Sequence, residues 1–303
     1  MSKLDGLIVV RCGDASLHRE WLSGELEWDL AVSYFGNDDD AAFPEAAYVH
    51  RYQGGKWDGI FDFFARNPEC LDKYEYFWLP DDDISASPAD LNRLLGYMRR
   101  EQFELAQPSL RAGSYVSHLT TLNSPLYEFR NVNFVELMVP VLSAGMLRKV
   151  LPLFRTAKTG FGIDFVWQRF TSDPRTRVAI IDAVQVLHTR PVGGALHKMI
   201  AETGSTPAEV ERDRFLQSYG PVHKEVLTFG GRTRAGLIVT QRHLATTVAA
   251  LGWLTRPFGN MGFRGSIDPV RFYWWVLRHW RSGLIRPIQW GKLEPVIPVE
   301  KKG

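Results

Sequence analysis

The sequence predicts an α/β protein with a mostly parallel sheet flanked by helices, and three observations lead to that prediction. Short apolar runs typical of buried strands alternate with segments whose apolar residues recur at helical spacing. The chain of 303 residues is long enough for one large α/β domain or two modest ones. An aromatic run, Tyr76–Leu79, leads into three consecutive aspartates, as a strand does when it ends at the ligand-binding edge of a sheet.

The N-terminal part of the chain alternates strands with helices. The predicted strands are Leu7–Val10, Trp28–Tyr34, Tyr48–Tyr52 and Tyr76–Leu79. Helix-like sequence covers Leu17–Ser23, and Trp57–Ala65 has apolar residues at i, i+3, i+4, i+7 and i+8, which is a helical spacing. Pro88 is expected to start the next helix with Ser87 as its N-cap. The inner face of that helix is predicted to comprise Leu91, Leu94, Leu95 and Met98.

The middle of the chain continues the alternation. The predicted strands are Phe103–Pro108, Asn133–Met138 and Val178–Val186, the last being the final strand of the sheet. Ser143–Leu153 is predicted to be a helix with Leu147, Val150 and Leu151 turned inward, and Phe165–Phe170 to begin another. The α/β domain is therefore expected to cover residues 1–204.

Residues 205–303 are predicted to form a basic, aromatic-rich helical C-terminal region. Residues 222–303 contain 13 lysines and arginines but only 4 acidic residues, a net charge of +9 that leaves −7 on the rest of the chain. The predicted helices are Pro207–Tyr219, Val239–Leu254 and Asp268–Trp280. Tryptophans interleaved with arginines over residues 239–290 suit peripheral contact with a membrane. The alternative is that these helices pack their aromatic residues on the α/β domain.

Composition excludes several classes of protein. A formal net charge of +2 argues against a nucleic-acid partner, and the two cysteines, Cys12 and Cys70, are too few for a disulfide framework and are expected to be buried thiols. The longest apolar stretch, Leu244–Leu254, is shorter than a spanning helix needs. No signal peptide is visible at Met1, so we expect a cytoplasmic protein.

The aspartates after the aromatic run carry the main functional hypothesis. Three carboxylates crowded at a sheet edge repel one another, so they make most sense beside a hard cation such as Mg²⁺ or Mn²⁺. In extended backbone, residues two apart point the same way, so Asp81 and Asp83 can converge on one ion while Asp82 diverges. A second acidic run, Asn37–Asp40, follows Phe35-Gly36 and precedes two alanines, with nothing to hold it at a sheet edge, and is predicted to be a solvated loop.

The order of several segments resembles the glycosyltransferases of the GT-A type, and more narrowly the DUF707 group of transferases. The segments that carry the resemblance are Gly55-Lys56-Trp57, Tyr76–Ile84, Val135–Val141, Gly160–Trp167, Ile181-Asp182 and Val186-Leu187-His188. Together they lie within residues 7 to 195. The resemblance implies a GT-A-like sheet and transfer of a sugar from a nucleotide-diphosphate sugar, with a UDP-sugar favoured, to a glycan or lipid-linked acceptor.

The resemblance also implies a metal site. Asp81 and Asp83 match the Asp-x-Asp motif that binds Mn²⁺ or Mg²⁺ in GT-A enzymes, with Asp83 as the direct ligand and Asp81 on the ribose or on metal-bound water. His188, at the end of its strand, matches a further metal ligand, and a neutral imidazole suits Mn²⁺ better than Mg²⁺. The alternative is that His188 is an ordinary polar residue at the end of a strand. Arg190 follows in a loop and is expected to contact a phosphate oxygen.

Two other acidic residues are candidates for the catalytic base and for binding of the donor sugar. In inverting GT-A enzymes the catalytic base occupies the position of Asp164, which would take the proton of the acceptor hydroxyl. The alternative for Asp164 is the N-cap of the following helix. Glu136 is expected inside an apolar strand, where an unpaired carboxylate is costly. It would either bind donor-sugar hydroxyls or form a buried pair with an arginine such as Arg130.

The remaining candidates concern the donor nucleotide. The loop after the first strand is expected to form one wall of its pocket, and Lys56 to reach a phosphate or the base. Trp57 is a candidate for stacking on the base, with anchoring of its own helix in the core as the alternative. The predicted nucleotide- and donor-binding residues are Arg11, Gly13, Asp14, Lys56, Trp57, Asp82, Glu136 and Arg190.

Two other functions fit parts of the sequence. Asp81-x-Asp83-x-Ser85 after a strand also resembles the first motif of haloacid-dehalogenase-type phosphatases, in which the first acid is the nucleophile. No suitable downstream acidic pair and lysine accompany it. A non-catalytic glycan-binding protein with a degenerate transferase domain is the other alternative.

Overall fold

The computed structural model describes residues 5–155, 157, 159–192, 208–219, 222, 225–255 and 269–285. Within these residues, eleven strands form one sheet. The strands are β1 Gly6–Cys12, β2 Trp28–Tyr34, β3 Tyr48–Arg51, β4 Tyr76–Trp78, β5 Ile84–Ser85, β6 Leu105–Leu110, β7 Tyr127–Val132, β8 Val141–Ser143, β9 Val178–His188, β10 Thr228–Thr233 and β11 Ile238–Val239. The helices are α1 Lys56–Arg66, α2 Cys70–Lys73, α3 Pro88–Glu101, α4 Ala144–Phe154, α5 Ala208–Ser218, α6 Arg242–Leu254 and α7 Pro269–Ile285.

The α/β class is confirmed, but the sheet is mixed rather than mostly parallel. Its order is β11-β10-β7-β9-β6-β8-β4-β1-β2-β3, with β5 paired to β9. Strands β3, β2, β1 and β4 are parallel neighbours, and β6 is parallel to β9. The three-residue strand β8 lies between β4 and β6 and is antiparallel to both. It is too short to show a period-two pattern in the sequence, which is why the change of direction was not predicted.

Helices cover both faces of the sheet, and the pleat of β1 shows how. Ile8, Val10 and Cys12 face one core, whereas Leu7 and Val9 face the other. The first core contains the predicted inner face of α3 together with residues of α6 and α7. The second contains the inner faces of α1 and α4. Helix α3 begins as predicted, with the Ser87 hydroxyl accepting a hydrogen bond from the Asp90 backbone amide at 3.1 Å.

Three predicted elements differ in the structure. Asn133–Met138 is not a strand: it is an irregular segment between β7 and β8, and its apolar residues Phe134 and Val135 are buried without strand pairing. The backbone amide of Glu136 bonds instead to the Gln107 side chain at 2.6 Å. The predicted helices at Leu17–Ser23 and Phe165–Phe170 are short 3₁₀ turns, covering His18–Leu22, Ile163–Phe165 and Trp167–Phe170.

The region after residue 204 is not helical throughout, because β10 and β11 extend the main sheet beyond β7. Helices α6 and α7 pack on the same body: Trp253, Phe272 and Val276 are fully buried in its core. The Tyr127 hydroxyl donates a hydrogen bond to the Ala245 carbonyl at 3.0 Å. Among the described residues, no helix is both long and apolar enough to cross a bilayer.

Candidate active site

The structure brings Asp81, Asp83 and His188 together at one edge of the sheet. The aspartates follow β4, and β5 begins directly after them and pairs with the end of β9, so that Ile84 lies opposite His188. This pairing places the carboxylate of Asp83 3.2 Å from Nε2 of His188. One potential ligand atom from each of the three residues lies within 4.8 Å of the others. Sequence reasoning named all three residues but could not foresee that antiparallel pairing joins them.

The donor set fits a divalent ion. Asp83 is 8 % exposed, and its Oδ1 atom is buried without a hydrogen-bond partner in the described part of the chain. Such an orphaned acceptor is costly unless a cation or a donor reaches it. The Nδ1 atom of His188 lies 2.8 Å from the Tyr115 carbonyl, so that a neutral ring donates there and leaves Nε2 as a ligand. Burial alone lowers the pKa of His188, but the hydrogen bond and charge of Asp83 outweigh it and raise that pKa.

Asp82 diverges from the other two aspartates, as its position between them predicted. Its Oδ2 accepts a hydrogen bond from the Gly13 backbone amide at 3.0 Å, and its Oδ1 from the Arg190 guanidinium at 3.1 Å. Arg190 also donates to the Ala15 carbonyl. Asp82 therefore connects the loop after β1 to the loop after β9. In this structure Arg190 and Gly13 both bind Asp82, and through it they join the two loops at this side of the candidate site.

Glu136 and Asp164 form a second pair of acids beside the first group. They are 4 % and 8 % exposed, respectively. Burial raises the pKa of Glu136 to about 7, with the charge of Asp81 adding to the shift and that of His188 opposing it. Burial raises the pKa of Asp164 to about 7 as well, and the charge of Glu136 adds to it. The five residues Asp81, Asp83, Glu136, Asp164 and His188 are called the acid cluster below.

The conformation of the loop that carries Asp164 depends on two glycines and on contacts with Glu211. Gly160 and Gly162 adopt φ values of +77° and +104°, which side chains rarely tolerate, and a Cβ on Gly160 would lie 2.1 Å from Nε1 of Trp57. Glu211 of α5 accepts hydrogen bonds from the backbone amides of Thr159 and Gly160. The Asp164 carboxylate accepts one from the amide of Gly162, two residues before it, at 3.2 Å. Asp164 lies inside the first 3₁₀ turn, and neither turn of this segment has a side-chain N-cap, so the alternative role of Asp164 as an N-cap is not seen.

Other predicted donor-site residues have contacts inside the protein. The buried Arg11 guanidinium donates to the carbonyls of Ser33, Tyr52, Gly54 and Gly55 and holds the turn before α1. Trp57 is 1 % exposed and packs against Phe154 and Trp167, so it anchors α1 in the core. Asp14 is exposed and accepts a hydrogen bond from the Tyr34 hydroxyl. Arg130 pairs with Asp182 rather than with Glu136.

Two contributors to the site were not predicted. The Tyr115 carbonyl orients His188, and the hydroxyls of Ser117 and Thr121 lower the pKa of Glu136 against the effect of burial. Both features come from the segment between β6 and β7, which carries no charged motif. Only its return to the end of β9, where the Tyr115 amide bonds to the His188 carbonyl at 3.1 Å, brings it to the site.

Comparisons with known proteins give distant similarities in fold only. GalNAc-T7, solved with UDP, GalNAc and Mn²⁺, is 9 % identical over 71 % of this chain and 48 % of that chain, with a TM-score of 0.49. TarS of S. aureus is 12 % identical over 71 % of this chain and 42 % of that chain, with a TM-score of 0.43. The chain thus spans less than half the length of either. A fragment of TarS solved with UDP-GlcNAc gives 11 % identity and a TM-score of 0.45, over 71 % of each chain.

No protein-family model matches the chain, and no curated protein matches it. The resemblance to the DUF707 group therefore stays a prediction. The structural similarities concern the α/β fold that the resemblance to GT-A enzymes predicts, and at these scores they carry no argument about activity.

Proposed function

We propose that this protein is a metal-dependent glycosyltransferase that moves a sugar from a nucleotide-diphosphate sugar to an acceptor hydroxyl with inversion. The observation that carries the proposal is the convergence of Asp81, Asp83 and His188 around an orphaned carboxylate oxygen, with two more buried acids beside them. The order of motifs in the sequence, which resembles GT-A enzymes, supports the same function. The predicted nucleotide is UDP, and the acceptor a glycan or a lipid-linked sugar.

The residues of the acid cluster would have different roles in such a reaction. Asp83 and His188 would hold Mn²⁺ or Mg²⁺ with Asp81 beside them, and the ion would supply positive charge to the departing diphosphate. Asp164, whose pKa of about 7 suits a general base near neutral pH, would take the proton of the acceptor hydroxyl. Glu136, with one oxygen lacking a hydrogen-bond partner among the described residues, would accept a hydrogen bond from a donor-sugar hydroxyl.

The C-terminal region would contribute contact with a membrane. One face of α7 packs in the core, but the other exposes Val270, Trp274, Leu277 and Ile285, with Trp274 70 % exposed. Arg278 and Arg281 line the same surface. We expect partial co-sedimentation with anionic vesicles that salt weakens, and less of it for Trp274→Ala. Absence of binding to anionic vesicles at low salt would contradict this part of the proposal. Residues 256–268 and 286–290 of the predicted membrane segment lie outside the described residues.

Calorimetric titration of UDP and GDP, with and without Mn²⁺, tests the proposed function. We expect one nucleotide to bind only in the presence of Mn²⁺ and Asp83→Asn to abolish that binding, because the substitution removes a charged ligand atom. Asp72→Asn is the matched control, since the Asp72 side chain is 81 % exposed and forms an ion pair with Arg148 of α4.

The other outcomes assign the site differently. Binding without metal would keep a transferase but remove the aspartates from their proposed role. If neither nucleotide binds and cytidine and thymidine diphosphates also fail, the phosphatase and glycan-binding alternatives become the better hypotheses.

A further inference from the structure

Lys56 lies against the acid cluster, with its ammonium group bound to oxygen atoms and 5.1 Å from the centre of the Trp57 ring. Its ammonium group donates to Oδ1 of Asp81 at 2.6 Å and to the Leu137 carbonyl at 2.7 Å, and it lies 3.4 Å from the Met138 carbonyl. The side chain is 16 % exposed. Three oxygen acceptors around one largely buried cation resemble the surroundings of a bound ion, with the ammonium group in its place.

The position of Lys56 is well determined by its neighbours. It is the first residue of α1, and the next residue, Trp57, is fixed in the core between Phe154 and Trp167. On the opposite side, the Asp81 amide donates to the Met138 carbonyl at 2.8 Å, which joins the aspartates to the 137–138 segment. Lys56 therefore connects α1, the aspartates and the segment that follows Glu136.

The charges around Asp81 show what this contact does. Four acids of the acid cluster and one histidine crowd a partly buried region in which an uncompensated carboxylate is costly. Lys56 neutralises one of the four. Within the described residues, no lysine or arginine donates a hydrogen bond to the carboxylates of Asp83, Glu136 or Asp164, and the ion-pair partner of Asp83 is His188.

We propose that Lys56 is a built-in counter-cation for Asp81 that lowers the affinity of the acid cluster for a divalent ion in the absence of a nucleotide. The inference rests on the metal site of the proposed function. Without the nucleotide, Lys56 and the ion repel each other across Asp81, and the site binds metal weakly. The diphosphate adds negative charge, which compensates for Lys56. Metal and nucleotide then bind together, and Lys56 acts as a positioning residue through Asp81.

The test is Mn²⁺ binding without nucleotide, followed by the paramagnetic resonance signal of the free ion. Lys56→Gln keeps most of the side chain but removes the charge, so we expect it to bind Mn²⁺ at least about tenfold more tightly than the unmodified protein. Lys56→Arg keeps the charge and should stay near the unmodified affinity. Lys73→Gln is the matched control, because Lys73 of α2 pairs with Asp29 in a similar lysine–aspartate contact at 3.3 Å.

A second pair of variants guards against a folding defect in Lys56→Gln. Asp81→Asn leaves Lys56 beside the ion without its partner and should weaken Mn²⁺ binding about tenfold, whereas the double variant Lys56→Gln/Asp81→Asn should recover it. A merely structural role of Lys56 predicts weaker binding in every Lys56 variant.

The outcomes separate this inference from the proposed function. Equal or weaker Mn²⁺ binding by folded Lys56→Gln, or no recovery in the double variant, overturns the counter-cation role while the metal site stands. If the unmodified protein binds no Mn²⁺ even with UDP or GDP, the metal site fails, and this inference fails with it.

Discussion

Replacement of Asp164 with asparagine is expected to lower the rate of sugar transfer roughly a thousandfold, because a general base contributes on the order of 10² to 10⁴ to such a step. Asparagine keeps the shape and the acceptor oxygen that bonds to the Gly162 amide, so the loop should persist. Nucleotide binding with Mn²⁺ should therefore stay near that of the unmodified protein. The measurement is steady-state transfer from the UDP- or GDP-sugar that calorimetry selects, with Asp72→Asn as the control.

The pH dependence gives a sharper version of the same prediction. The deprotonated carboxylate is the active form, so kcat/KM should rise with pH through about 7, the pKa of Asp164. Glu136→Gln removes a neighbouring negative charge that raises this pKa, and the rise in rate should then move to lower pH. A profile that is unchanged in Glu136→Gln, together with full activity in Asp164→Asn, would exclude Asp164 as the base.

Removal of one partner of the Arg130–Asp182 pair should destabilise the fold strongly. Both side chains are fully buried, and the guanidinium makes two bonds to the carboxylate, at 2.7 and 3.1 Å. Arg130 also donates to the carbonyls of Thr120 and Leu122. Asp182→Asn or Arg130→Met leaves an uncompensated buried charge or unsatisfied acceptors, which costs about 3 to 5 kcal/mol. We expect a fall in Tm on the order of 10 °C.

Two further variants show whether burial of the ion pair is the cause of this loss of stability. Arg148→Met removes an ion pair with Asp72 that is exposed on both sides, and we expect a change below about 0.5 kcal/mol in the free energy of unfolding measured in urea. The double variant Arg130→Met/Asp182→Leu replaces the charges by apolar groups and should be more stable than either single variant. Equal stabilities of Asp182→Asn and Arg148→Met would contradict the argument from burial.

The sequence predicted the elements whose patterns are local. The strand Trp28–Tyr34 and the Ser87 cap and inner face of α3 follow from residue type and spacing within one element, and the structure agrees. Helices α1 and α4 also form where the spacing predicts them, although Ala65 is exposed and Leu151 only half-buried. Burial of Cys12 and Cys70 was also predictable from their apolar surroundings. The acids at the end of β4 were recognisable because three adjacent carboxylates after an aromatic strand need a reason that a solvated loop does not supply.

The segment Asn133–Met138 shows where local patterns fail. Its apolar residues predict a strand, but their burial comes from packing in an irregular segment, and the strands on either side, β7 and β8, were missed. The C-terminal strands β10 and β11 were missed for the same reason. Thr228–Thr233 contains two glycines and joins the sheet only because the edge of β7 is available to pair with it.

The sequence by itself thus determined the α/β class, most of the helices and the identity of the acids at the candidate site. Only the tertiary structure decided the mixed direction of the sheet, the contact of Lys56 with Asp81, the pairing of Arg130 with Asp182 and the meeting of Asp83 with His188. These contacts join residues 25 to 105 positions apart, and no periodicity within one element encodes them. They depend on which strand edges pair and on which buried charges find a partner, and that is settled by the free energy of the whole packed chain.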